Sequence, residues 1–151
     1  MIDVLALAAV CAPTVAPETI AAIVEVESAG NPYAIGIVDG VLPRQPNSLP
    51  EAISTAEYLI ENGWSFSVGL AQIHIDNLQR LNISIPDAFE PCKNIELAEF
   101  VLTDCYLRAP ADGRLDSALS CYYSGHFSRG HVVEPSGTSY VERIRQAALP
   151  P

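Results

Sequence analysis

A chain of 151 residues is long enough for one compact domain with a real core. At 49% hydrophobic and 17% charged it has globular rather than disordered composition. Its formal charge of −10 argues against nucleic acid or an anionic membrane surface as partner, since both call for Lys and Arg, and leaves a neutral polymer such as a glycan open.

In chain order, MIDVLALAAVCA is apolar but too short to span a bilayer and lacks a basic leader. It reads as a packed first helix or as the remnant of a trimmed signal peptide with Met1 in its place. The first strong helix is expected over Pro17 to Ser28, with Pro at its start and Gly30, Asn31 and Pro32 at its end. Asp39-Gly40 lies between two apolar runs and predicts a β-hairpin. Ser48 to Glu51 reads as a capping box, opening a helix with Ala52, Ile53, Ala56, Leu59 and Ile60 on one face and stopped by Asn62-Gly63. GLAQIHIDNLQRL, from Gly69, looks helical. Lys93 to Arg108 is the longest amphipathic run, and Leu115 to Ser124 is a further helix. GHFSRGHVVEPSG is a loop, and Tyr140 to Ala148 a last helix. The expected class is α+β, mostly α-helical, with one small β-hairpin.

The four cysteines, Cys11, Cys92, Cys105 and Cys121, fit two disulfides and an oxidising compartment; four buried thiols in a cytosolic protein is the competing reading. Spacing does not give connectivity. His74, His126 and His131 are too scattered to suggest zinc, there is no phosphate loop, and Ser28, Ser67 and Ser124 lack a nucleophile-elbow context. No cofactor is called for.

The informative stretch is EVESAGNPYAIG, Glu25 to Gly36. Ile20, Ile23 and Val24 mark an apolar helix face whose next member is position 27. That position is Glu27, within about 20° of Ile20 around the axis, whereas Glu25 falls on roughly the opposite side. A carboxyl aimed at the core resists ionisation. A carboxyl protonated near neutral pH is what a general acid needs. On periodicity alone a structural glutamate held by backbone N–H groups or an arginine is the more ordinary reading.

EVESAGNPYAIG, VGLAQI, PCKNIELAEFVL, ALSCYYSG and SYVERI occur in the order seen in lytic transglycosylases of the soluble, lysozyme-like type. The chain most resembles the small periplasmic members encoded with type IV secretion systems. The resemblance covers roughly residues 11–148 of what is expected to be one domain over 1–151. It implies a lysozyme-like fold with a glycan cleft, and cleavage of the MurNAc–GlcNAc bond of peptidoglycan without water, leaving a 1,6-anhydro end. It further implies a periplasmic monomer, with peptidoglycan as substrate and type IV secretion components as partners.

Position by position, the family's catalytic glutamate falls on Glu27. The second motif falls on Gly69, Leu70, Gln72 and Ile73, which would place the Gln72 amide on sugar; a plain helix-surface amide is the bland reading. Tyr122 matches a tyrosine whose hydroxyl lies near the catalytic carboxyl, against the reading of a core aromatic. Ser28, Gly69 and Tyr123 complete the candidate substrate side, Ser28 more through capping or local bonding than through sugar contact. Two positions depart from the pattern: Gly36 stands where Ser is frequent, and Tyr123 where Asn is frequent. A hydrolytic muramidase would need a second carboxylate, for which Asp39 is the candidate, although Asp-Gly also suits a tight turn. A non-catalytic peptidoglycan-binding scaffold is the other alternative.

Overall fold

The structure, a computed structural model, describes residues 2–149. Met1, and with it the question of a replaced leader, lies outside the described residues. Among the described residues, eight helices and a three-stranded sheet follow one another as α1 (Val4–Cys11), α2 (Pro17–Ser28), β1 (Ile35–Ile37), α3 (Leu49–Glu61), β2 (Phe66–Val68), β3 (Ile73–His74), α4 (Ile75–Arg80), α5 (Ile85–Phe89), α6 (Pro91–Arg108), α7 (Arg114–Ser124) and α8 (Tyr140–Ala148), with a 3₁₀ turn at Arg129–His131. The class is the expected one, mostly helical with a small antiparallel sheet.

Local chemistry sets most boundaries. Pro17 starts α2, where its missing N–H is no loss, and Ala29 and Gly30 end it in left-handed conformation. Ser48 caps α3 through the Glu51 N–H, but the Glu51 carboxylate bonds the Asn47 N–H, so the reciprocal arm of the expected box lands one residue early. Ser139 and Glu142 form the complete box at the head of α8. The apolar start of the chain is a packed helix whose Ala8 and Cys11 are buried.

Two expectations about the sheet need correction. Asp39 does turn the chain, at φ +57°, but the residues beyond Gly40 form no strand. β1 pairs instead with β2, beyond α3: Ile35 opposite Val68, Gly36 opposite Ser67, Ile37 opposite Phe66. The segment from Gly69 is not helical at its start. Gly69 to Gln72 form the tight turn joining β2 to antiparallel β3, and helix resumes only at Ile75. The hairpin is therefore β2–β3.

Asn94 explains that turn. Fully buried on α6, its amide donates to the Val68 and Ala88 carbonyls and accepts from the Ala71 N–H. Gly69, at φ +82°, passes so close that a Cβ there would lie 2.2 Å from the Asn94 amide nitrogen.

The buried side chains form one contiguous cluster in which Ile20, Ile23 and Val24 of α2 meet Ile95 and Ala98 of α6, Leu119 of α7 and Ile144 of α8. Two disulfides staple it: Cys11–Cys92 ties α1 to α6, and Cys105–Cys121 ties α6 to α7. In the chain-entropy picture they contribute about 4.5 and about 3 kcal/mol. Cys121 is thereby bridged and not a nucleophile. No helix among the described residues is long and apolar enough to cross a membrane.

Candidate active site

A cleft of about 800 Å³ opens between the sheet and the helices α6 and α7. Side chains alternate along a strand, so the register sets Gly36, Ser67 and His74 side by side on the cleft face, while Ile35 and Val68 turn to the core. Asp104 and Arg108 of α6, an ion pair at 3.0 Å, line the opposite wall.

Glu27 projects into this cleft from the last turn of α2, partly covered, while Glu25 is exposed. Desolvation lifts the Glu27 pKa from 4.5 to about 8. The Tyr140 hydroxyl, donating to Oε2 at 3.2 Å, and the positive charge of Arg143 oppose that rise without cancelling it. Around neutral pH Glu27 is therefore largely a protonated acid, lining a cleft large enough for sugar rings.

The other expected residues divide. Gln72 and Tyr122 line the cleft beside Glu27. The Gln72 backbone is left-handed, at φ +54°, and its Nε2 donates to the Ala34 and Gly69 carbonyls at 3.0 Å each. With both amide hydrogens spent, the group offers its oxygen. That oxygen lies over Gly36, 2.7 Å from where a Cβ would stand. Gly36, the departure from the family pattern, is thus the condition for this Gln72 conformation.

Tyr122 donates its hydroxyl to the Ala71 carbonyl at 2.7 Å. The tyrosine bonded to Glu27 is Tyr140 instead, since the Tyr122 hydroxyl is committed to the turn. Burial first, and the Glu27 charge second, push both phenols well above their ordinary pKa, so both remain donors.

Ser28 and Gly69 do not line the cleft. Ser28 donates to the Val24 and Leu70 carbonyls and accepts from the Gly30 N–H, while Gly69 lies against Asn94; both build the wall behind the site. Tyr123 lines the cleft, stacks on Tyr140 with ring centroids 4.3 Å apart, and donates to Glu134 at 2.9 Å. Asp39 is exposed and does not line the cleft.

Sequence reasoning missed Tyr140, Arg143 and Asn94. Tyr140 had a signal: it lies on the buried face of α8 with Val141 and Ile144, a polar group among apolar ones like Glu27 on α2. Nothing local signals that it meets Glu27, 113 residues away. Among the described residues no group of three or more His, Cys, Asp or Glu is placed to hold a metal.

Residues 5–140 match the family model of the transglycosylase SLT domain. The chain is 49% identical over 154 residues to the type IV secretion system protein VirB1 of Brucella suis biovar 1, covering 98% of this chain and 65% of that protein. The corresponding Brucella abortus protein is equally similar. Protein VirB1 of Agrobacterium fabrum is 32% identical over 144 residues, covering 91% of this chain and 56% of its own length. The chain thus spans under two thirds of the length of these relatives. No solved structure shows a significant match.

Proposed function

The chain belongs to the transglycosylase SLT domain family, a family of glycan-cleaving enzymes, and from that premise we propose that it is a peptidoglycan lytic transglycosylase with Glu27 as its one acid–base group. The carrying observation is a carboxyl that lines the cleft, bonded to Tyr140, with burial raising its pKa to about 8. The Glu27 proton passes to the glycosidic oxygen as the bond from MurNAc C1 breaks, freeing GlcNAc with its 4-hydroxyl. The MurNAc N-acetyl carbonyl stabilises the electron-poor C1, which removes the need for a second carboxylate. The MurNAc C6 hydroxyl then attacks C1 while Glu27, now carboxylate, takes its proton. The product is a 1,6-anhydro ring, and Glu27 ends protonated as it began. Tyr140, bonded to Oε2, stabilises the carboxylate between the two steps.

The similarity to type IV secretion proteins supports a role in opening the cell wall for a secretion apparatus, with peptidoglycan as substrate and secretion components as partners. Two disulfides suit the periplasm. The test is mass spectrometry of peptidoglycan digested by the protein and by Glu27→Gln. Anhydro-muropeptides from the first and none from the second support the reading. Reducing ends one water heavier would make it a hydrolase. Retained binding with no product from either would make it a scaffold.

A further inference from the structure

One ion pair beside the cleft has no part in those steps. Arg143 follows Tyr140 by three residues on α8, so both side chains leave the same helix face. Tyr140 reaches Glu27, but the Arg143 guanidinium turns away, donating to Glu134 Oε1 at 3.3 Å and to the Thr138 carbonyl at 3.3 Å. The same Glu134 oxygen accepts from the Tyr123 hydroxyl at 2.9 Å. Tyr123 stacks on the Tyr140 ring, nearly parallel at 13°. The segment carrying Glu134 is closed by its own backbone bonds, Glu134 N–H to Thr138 and Gly137 N–H to Glu134. One carboxylate oxygen thus ties down both the cation whose charge acts on Glu27 and the aromatic that backs its hydrogen-bond donor.

A guanidinium beside a half-covered carboxyl favours the charged form and draws off its proton. Pairing with a carboxylate weakens its field at a distance without removing it. We propose that Glu134 is a positioning residue for the transglycosylase reaction: it holds and neutralises Arg143 and fixes Tyr123 against Tyr140, and so keeps Glu27 in its acid form. This rests on the reading of Glu27 as general acid. It also gives Tyr123 a purpose at a position where the family pattern has Asn, which has no phenol to reach Glu134.

The groups around Glu27 can be set out by element. α8 supplies Tyr140 and Arg143, and α7 supplies Tyr122 and Tyr123. Asp104 and Arg108 of α6, already paired, line the far wall, and His74, Asp76, Arg80 and Arg129 line the same cavity. α1 brings only Cys11, which is bridged. On α2 itself Glu25 is exposed. Among these cations Arg143 is the one that acts on Glu27.

The experiment compares Glu134→Gln, Arg143→Gln and the double variant in the full chain with both disulfides formed. One readout is the Glu27 titration by ¹³C NMR of labelled glutamate, assigned by its loss in Glu27→Gln. The other is release of anhydro-muropeptides against pH. The Glu27 midpoint should fall in Glu134→Gln by about 0.5 pH unit or more, roughly a three-fold loss of rate above the limb. It should rise in Arg143→Gln and return near the wild-type value in the double variant. A bridge that merely held the fold together would shift both single variants the same way, with no recovery in the double, and that result overturns the proposal. If Glu134→Gln does not fold, Glu134→Asp, whose shorter side chain withdraws the carboxylate from Arg143 and Tyr123, takes its place: a midpoint that falls supports the proposal, and one that stays or rises overturns it. The expected titrations without anhydro product would sink the transglycosylase reading alone. Anhydro product without those titrations would sink the role of Glu134 alone.

Discussion

Replacing Glu27 by Gln should make the protein more stable, and by an amount that depends on pH. Gln is nearly isosteric, and its carbonyl oxygen can still accept from Tyr140. The carboxyl titrates at 4.5 in the unfolded chain and at about 8 in the folded one. Between those values the folded state holds a proton that the unfolded state has released. Stability therefore falls with rising pH, by about 1.4 kcal/mol per pH unit. The contribution is intact below pH about 4.5 and is lost as pH climbs through about 8. At pH 7 the loss is about 3 kcal/mol. Gln carries no such penalty, and the other titrating groups, common to both proteins, cancel in the comparison. Urea unfolding with the disulfides intact should give near-equal stabilities at pH 4.5 and a gap of about 3 kcal/mol in favour of Glu27→Gln at pH 7. In a domain of this size that is a rise in Tm of roughly 6–12 °C. A gap that does not vary with pH, or one that widens towards acid, would mean that Glu27 is not held protonated by burial.

Three further outcomes are expected. Tyr140→Phe removes the hydrogen bond that stabilises the Glu27 carboxylate; the alkaline limb of the rate profile should move up and the maximal rate fall by roughly five-fold, about 1 kcal/mol, with Tm lower by only roughly 2–4 °C. A limb that stays in place would refute the bond. Asn94→Ala leaves the Ala71 N–H and the Val68 and Ala88 carbonyls unpaired in the core and should cost about 3 kcal/mol or more in urea unfolding; a loss below about 1 kcal/mol would show that the β2–β3 turn holds without it. Gly36→Ser drives its Cβ onto the Gln72 oxygen and should cost about 1 kcal/mol by breaking the Gln72 bonds to Ala34 and Gly69. The same change made in Gln72→Ala should cost almost nothing, and additive effects in that cycle would disprove the coupling.

The parts of the molecule legible from the chain are those decided within one or two turns of helix. Pro17 and the Gly30-Asn31-Pro32 stop bound α2 where they should, because a missing N–H and a left-handed backbone are local matters. The same holds for α8 behind its Ser139 cap. Glu27 stood out because a helix of 3.6 residues per turn leaves no doubt which side position 27 shares. Its exposed neighbour Glu25 shows the same phase from the other side. Of the residues taken from the family motifs, Gln72 and Tyr122 line the cleft, while Ser28 and Gly69 lie behind it.

What escaped reading depends on residues far apart in the chain. The apolar run from Gly69 suits a helix as well as a turn. It turns because Asn94, on another helix, takes up its backbone groups, and no periodicity carries that information. Asp39 announces a turn correctly, but which strand lies beside β1 is settled only when α3 has packed and brought Phe66 to Ile37. Four cysteines permit three pairings, and the approach of α1 and α7 to α6 selects one. The chain alone thus places an acid on an apolar face. Tertiary packing decides how strongly that acid holds its proton, because burial comes only with folding, and the Tyr140 bond and the Arg143 charge come from groups more than a hundred residues along the chain.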